Sequence, residues 1–246
     1  METLRPNYQT IAIIGSSGTI ARALINQLAI QHPEAQIFMF SSQNATSKPS
    51  SNQMCHHMNY QDEASIAQAA MIASRASPID LIIVATGQLH DQHMMPEKSL
   101  KELSMAQFEN QFQANCTLPA IIAKHFLPKM PKNQCAIFAA LSARVGSISG
   151  NRLGGWYSYR ASKAALNMFI KTAAIETKRT HPRAAVIGLH PGTVDSSLSK
   201  PFQARVAPDK LFTPSFTAAK LIEVISQCTP SQSGQCLAWD GQVILP

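Results

Sequence analysis

Short apolar runs alternate with longer stretches of helical periodicity along the whole chain. The runs Thr10–Ile14, Gln36–Ser41, Asp80–Ala85, Cys135–Leu141, Ala185–Leu189 and Gln235–Trp239 are apolar without strict polar alternation, which suits strands of a parallel sheet covered on both faces. Between them, Ile20–Gln31, Glu63–Arg75, Ser104–Lys129, Ser158–Arg179 and Ser215–Gln227 carry apolar residues at helical spacing. Strand–helix–strand alternation predicts a doubly wound α/β fold, a mostly parallel sheet with helices on both faces. No internal repeat or linker divides the chain, so residues 1–246 are expected to form a single domain with its core over 9–246. The polar stretch Ser41–Gln53 is expected to be a loop. The segment 195–214 mixes Pro201, Pro208 and Pro214 with Leu198, Phe202, Val206 and Phe212, and it is read as a lid over a substrate pocket. The other reading of that segment is an ordinary connection packed on the surface.

Composition narrows the classes. A chain of 246 residues with 45% hydrophobic content is long enough for one large core. No apolar run reaches the roughly 18 residues that a membrane-spanning helix needs. The opening METLRPNYQT has no basic region followed by an apolar stretch, so a secretory signal is not expected. Five scattered cysteines with no CxxC pair fit reduced thiols in a cytoplasmic protein. The net charge of +7 raises the question of nucleic acid, yet only 14% of residues are charged. The densest cations, Lys178 to Arg183, fall at an expected helix end, where the helix dipole favours them. A nucleic-acid partner is therefore not expected, and a small phosphate-bearing ligand uses the same positive field. His56 with His57, and His90 with His93, lack a third ligand at a helpful distance, so no metal is expected.

The first expected strand runs into Gly15-Ser16-Ser17-Gly18-Thr19-Ile20, where a helix begins. Glycines there let the backbone approach a pyrophosphate, and the helix start offers unpaired N–H groups and the positive end of its dipole. A GxxG alone is a weak signal; its position directly after the first strand strengthens it. An acid after the second strand would bind both ribose hydroxyls and repel a 2′-phosphate, but Ser41 and Ser42 stand there instead, with Arg22 and Lys48 as nearby cations. NADP(H) is therefore expected over NAD(H), with NAD(H) possible.

Tyr159 and Lys163 form a YxxxK pair at the start of an expected helix, where a spacing of four places both on one face. An ammonium beside a phenol favours phenolate and is expected to lower the tyrosine pKa into a range useful for proton transfer. With these segments in this order the chain resembles the short-chain dehydrogenase/reductase family, over nearly its whole length. The loop from Gly15 is similar to the family's TGxxxGxG, and Val84-Ala85-Thr86-Gly87 to its NNAG segment. Asn115 falls where the family has an active-site asparagine, and Pro191-Gly192-Thr193-Val194-Asp195-Ser196 resembles the PGxVxT segment that touches the nicotinamide. The wording ALSARVGSI and GGWYSYRASKAALNM resembles the C-factor-like branch.

The resemblance implies a Rossmann fold, a carbonyl or alcohol substrate, and a homodimer or homotetramer. It implies that Tyr159 is the general acid/base, that Lys163 holds the nicotinamide ribose, and that Asn115 supports a proton-relaying water. It also implies that Gly15, Ser17, Gly18, Thr19, Ile20, Ala85, Thr86, Gly87, Pro191, Gly192, Val194 and Ser196 contact the cofactor, with Ser41 and Ser42 at its ribose end. Asn59 takes the slot of an adenine-binding Asp. The carbonyl-polarising serine departs from the pattern: counted from Gly146, its slot is Ala143. Ser142 is preferred for the role, through a local bulge, and Ser147 is the alternative. The altered glycine loop and displaced serine leave a second reading, a catalytically weak nucleotide-binding regulatory or signalling protein. His190 is read as positional, and Trp156 and Tyr157 either wall the pocket or pack the loop.

Overall fold

The computed structural model describes residues 7–43 and 49–246. Its strands are β1 (Thr10–Ile14), β2 (Gln36–Ser41), β3 (Gln53–His57), β4 (Leu81–Val84), β5 (Ala136–Leu141), β6 (Ala184–His190), β7 (Thr193–Val194), β8 (Leu211–Phe212), β9 (Cys236–Ala238) and β10 (Val243–Ile244). Among the described residues, eight of them form one sheet in the order β10-β9-β6-β5-β4-β1-β2-β3, parallel except for the β9–β10 pair. The helices are α1 (Thr19–Gln31), α2 (Glu63–Ala73), α3 (Met105–Phe112), α4 (Leu118–Phe126), α5 (Tyr157–Thr180) and α6 (Pro214–Gln227).

Strand residues alternate between the two faces, so each central strand feeds two cores. Ile11 and Ile13 pack with Leu24 and Leu28 of α1 and Leu221 of α6 on one face. On the other, Ile14, Phe40 and Phe138 pack with Ile66 of α2, Phe126 of α4 and Ile170 of α5. Each fully buried side chain of this size contributes about 1.5–3 kcal/mol. The doubly wound fold expected from the apolar runs is therefore the observed one. The order reverses at β1, which has β2 on one side and β4 on the other. A crevice opens at such a switch, beyond the carboxyl ends of the strands.

Three departures from the expected elements have physical causes. The expected loop over Ser41–Gln53 overlaps the start of β3, which pairs in parallel with β2 at the sheet edge. Its residues are half-buried or exposed, so QMCHH shows none of the apolar continuity of a central strand. The expected helix Ser104–Lys129 keeps its path, but a π-helical turn, Gln113–Thr117, separates α3 from α4, and a 3₁₀ turn closes the end. The segment 195–214 has its ends stitched together, because β7 pairs with β8 and Asp195 N–H donates to the Phe212 carbonyl at 2.8 Å.

Candidate active site

The loop after β1 is pinned before any ligand is considered. The N–H groups of Gly15 and Ser16 both donate to the Phe40 carbonyl, at 2.9 and 3.0 Å, and Ser16 Oγ donates to the same oxygen. Gly15 sits at φ +83°, and a Cβ there would lie 3.0 Å from Ala85 C and Thr86 N. Only glycine accepts that conformation at that closeness. The turn therefore brings Gly15 against Ala85 and Thr86 at the end of β4. Gly18 is the N-cap of α1 with no side-chain cap hydrogen bond, and the first turn holds no acid, so the start of the helix keeps its positive dipole end uncompensated by its own side chains. Ser41 Oγ donates to Ser17 Oγ at 3.1 Å, joining the end of β2 to the loop. A cavity of about 470 Å³ adjoins it, lined by Ser17, Thr19 and Arg22 together with Pro214 and Ser215 of α6.

The ribose end differs in detail from the expectation. Ser42 and Asn59 are exposed, and the Asn59 carboxamide oxygen is taken by Gln61 N–H at 3.0 Å within the turn before α2. Tyr60, which sequence reasoning passed over, reaches this corner. Burial raises its phenol pKa, while backbone hydrogen bonds from Ser42 and Gly15 act in the opposite sense. Lys48 lies outside the described residues.

The expected catalytic pair is buried near the carboxyl ends of β4 and β5. Tyr159 and Lys163 are 8% and 3% exposed, and Lys163 Nζ lies 5.9 Å from the Tyr159 ring centre. Lys163 Nζ donates to the Leu141 carbonyl at 2.9 Å, and a Cβ on Gly87 would lie 3.6 Å from it and 3.5 Å from Asn115 Oδ1. Lys163, Asn115, Gly87 and the end of β5 therefore meet. Burial pushes the Tyr159 phenol up to about 12 and holds the Lys163 ammonium down at about 8. This corrects the expected lowering of the tyrosine pKa. Loss of water around the phenol outweighs an ammonium that is itself partly discharged by burial.

Asn115 lies in the π-helical turn and is fully buried. Its Oδ1 accepts from Gln88 N–H at 3.0 Å, and its Nδ2 donates to the Gln88 carbonyl at 2.8 Å and to Gln111 Oε1 at 2.8 Å. Gln111 and Gln107, also unmarked by the sequence, donate to the carbonyls of Leu89 and Met95. Helix-spaced amides thus clamp the loop that follows Gly87.

Ser142 is buried, and its hydroxyl donates to Asn167 Oδ1 at 2.6 Å, one turn beyond Lys163. A substrate oxygen would have to compete with that bond. Ser147 Oγ accepts from Gly150 N–H at 3.0 Å, which leaves its own proton for another acceptor. Pro191 and Gly192 follow β6, and a Cβ on Gly192 would lie 2.5 Å from the Phe212 ring, itself packed on Trp239 at 4.7 Å. Val194 is buried, and the hydroxyl of Ser196 donates to its carbonyl. From the 195–214 segment, Phe202 packs on Trp156 at 5.0 Å, and Trp156 stands edge-on to Tyr159 at 6.2 Å. Phe202 also meets His90, whose Nε2 lies 3.1 Å from the Leu198 carbonyl. Phe202 of the segment is thus linked to Tyr159 through the Trp156 ring. His190 is held at about 4 by burial, so it is neutral through the physiological range.

A nicotinamide dinucleotide fits this end of the sheet on two observations. The Gly15 turn is a cradle that a Cβ would fill, and the buried Thr86 hydroxyl beside it has no protein partner. Ser17, Gly18, Thr19 and Ile20 would hold the pyrophosphate at the start of α1. Ser41 and Tyr60 would meet the adenosine ribose, and Gly87 and Lys163 the nicotinamide ribose.

The model of the family described as short chain dehydrogenase matches residues 9–207. C-signal of Myxococcus xanthus is 28% identical over 144 residues, covering 58% of this chain and 81% of that protein. A 1-hydroxy-2-glutathionyl-2-methyl-3-butene dehydrogenase of Rhodococcus sp. strain AD45 is 38% identical over 109 residues, 44% of this chain and 46% of the relative. The chain spans less than half the length of that second relative. The structure of an NADPH-bound carbonyl reductase from chicken fatty liver superposes with a TM-score of 0.81 at 18% identity, covering 99% of this chain and 96% of that one, which shows a shared fold.

Proposed function

The chain belongs to the short-chain dehydrogenase family, a family of NAD(P)-dependent dehydrogenases and reductases, and we propose that it is an NADP(H)-dependent carbonyl reductase in which Tyr159 delivers the proton. The observation that carries this reading is the burial of Tyr159 beside Lys163, at the strand ends next to the Gly15 turn. When bound, the nicotinamide supplies or accepts the hydride. With its phenol at about 12, Tyr159 keeps its proton at neutral pH and donates it to the oxygen of a reduced carbonyl. Lys163, tied to the Leu141 carbonyl, holds the ribose and presents a charge that the developing phenolate needs. Asn115 fixes the loop after Gly87 and supports proton return toward Lys163.

The preference for NADP(H) over NAD(H) rests on the absence of an acid among Ser41, Ser42 and Gln43, and on the hydroxyl that joins Ser41 to Ser17. NADPH bound to the chicken enzyme of the same fold supports it. Ser142 braces the Lys163 turn through Asn167, and the substrate oxygen is polarised chiefly by Tyr159. A second reading, a weakly catalytic nucleotide-binding signalling protein, draws on that same engaged serine and on the likeness to C-signal. The two are separated by following NADPH consumption with benzil and a panel of aldehydes and ketones. The reductase reading expects turnover by the wild type, and loss of turnover with retained NADPH binding in Tyr159→Phe. A fully active Tyr159→Phe variant refutes the assigned role; binding without turnover across the panel favours the signalling reading.

A further inference from the structure

The helix that carries Tyr159 and Lys163 begins without a cap of its own. Its N-cap residue is Trp156, whose side chain cannot accept a hydrogen bond. Trp156 is also left-handed, at φ +53°, the only non-glycine residue with positive φ among the described residues, and it follows Gly154 and Gly155, both at +64°. A side chain with a Cβ persists there only when its surroundings hold it.

What holds it comes from the loop after β4, about sixty residues earlier. Glu97 is 1% exposed. Its backbone carbonyl accepts the Trp156 N–H at 2.5 Å, and its carboxylate Oε2 accepts the Ser158 N–H at 3.3 Å. Ser158 N–H is the second donor of the helix, the one an ordinary N-cap side chain would take. The carboxylate also sits against the positive end of the helix dipole. No lysine, arginine or histidine among the described residues forms an ion pair with Glu97, so α5 itself is its counterpart. Glu97 Oε1 and the Ser158 hydroxyl are both buried without a protein partner. Burying an incompletely satisfied carboxylate is unfavourable, and serine or aspartate at position 156 would cap the helix without it. Tryptophan at 156 instead gives the site a ring edge-on to Tyr159 and packed on Phe202, at 6.2 and 5.0 Å.

We propose that Glu97 is a positioning residue that caps α5 from outside, so that Trp156 is free to set the Tyr159 side of the substrate pocket. Resting on the reductase reading, this assignment makes Glu97 act through Trp156 and the first turn of α5. It predicts a large effect on turnover and a small one on cofactor binding, because the Gly15 turn is built on β1, β2 and β4, and Lys163, beyond the first turn of α5, is tied separately to the Leu141 carbonyl. Misplacing a reacting group by a fraction of an ångström to an ångström lowers rate by up to about 100-fold.

The test is a double-mutant cycle with Glu97→Ala, Trp156→Ala and the double variant, read as kcat for benzil reduction and Kd for NADPH, with Glu97→Gln as the conservative replacement. Glu97→Ala should lower kcat at least about 10-fold with Kd for NADPH nearly unchanged, and Glu97→Gln, which keeps the acceptor, should recover most of it. The double variant should be little worse than Trp156→Ala alone, since both remove one arrangement. A second readout needs no turnover: Trp156 emission in a Trp239→Phe background should shift to the red and quench more readily on Glu97→Ala, with far-UV circular dichroism unchanged. Unaltered emission, additive losses in the cycle, or parallel loss of kcat and NADPH binding without rescue by glutamine overturns the assignment. A wild type that reduces no carbonyl counts against the reductase reading alone, and the emission then decides the role of Glu97.

Discussion

Gly146 offers a sharp test of how closely α5 is held. A Cβ at this position would lie 2.9 Å from Lys163 C, 3.0 Å from Lys163 Cβ and 3.0 Å from Asn167 Nδ2. Those separations are about 0.5–1 Å inside the optimum for carbon atoms, so Gly146→Ala must push the 144–146 turn and α5 apart by a similar distance. Overpacking of this kind costs about 1–3 kcal/mol. At about 2–4 °C per kcal/mol for a chain of this size, the melting temperature should fall by roughly 2–12 °C. The same displacement acts on Lys163, whose Nζ is bound to the Leu141 carbonyl, and should lower kcat by about 10- to 100-fold. Gly241→Ala is the control: it has φ +80° but no atom within 4 Å of the added Cβ, so only backbone strain of about 1–2 kcal/mol should appear. Differential scanning calorimetry and benzil reduction under saturating NADPH measure both effects. A Gly146→Ala protein with wild-type melting and turnover, or a Gly241→Ala protein equally impaired in turnover, refutes the reasoning.

Other expectations follow from the same geometry. Ser142→Ala should lose less than about 10-fold in kcat, against the 100- to 1,000-fold loss typical of a direct oxyanion donor, because its hydroxyl serves Asn167; steady-state kinetics decide. Phe202→Ala removes the ring that rests on Trp156 and should raise KM for bulky ketones more than it changes Kd for NADPH. Lys163 is held at about 8 when folded and returns to its ordinary value near 10.5 when unfolded, so between these pH values the unfolded chain binds the extra proton. Wild-type stability relative to Lys163→Met should therefore rise from pH 8 to 10.5, as urea titrations across that window would show; a flat difference contradicts the burial of a charged lysine.

The central strands were legible because they are buried on both faces: TIAII and QIFMFS were placed with their observed bounds. β3 was not, because an edge strand with one neighbour tolerates Gln53, His56 and His57. The two-residue strands β7 and β8 are too short to carry a period. Among the candidate site residues, Tyr159 and Lys163 were legible from their YxxxK spacing in company with the other family-like segments, and Gly15 from its place after β1. Gln111, Asn167, Tyr60 and Glu97 were not, since their roles come from contacts between segments far apart in the chain. The Tyr159 pKa was misread for a related reason. Spacing reveals a neighbouring charge but not the burial that opposes it.

The central claim, a nicotinamide site at the Gly15 turn with a preference for the 2′-phosphate, is tested most directly by titrating the purified protein with NADPH and with NADH and following nicotinamide fluorescence. The account predicts saturable NADPH binding at least about tenfold tighter than NADH, a difference of about 1.4 kcal/mol. Binding of neither nucleotide, or tighter binding of NADH, would contradict it.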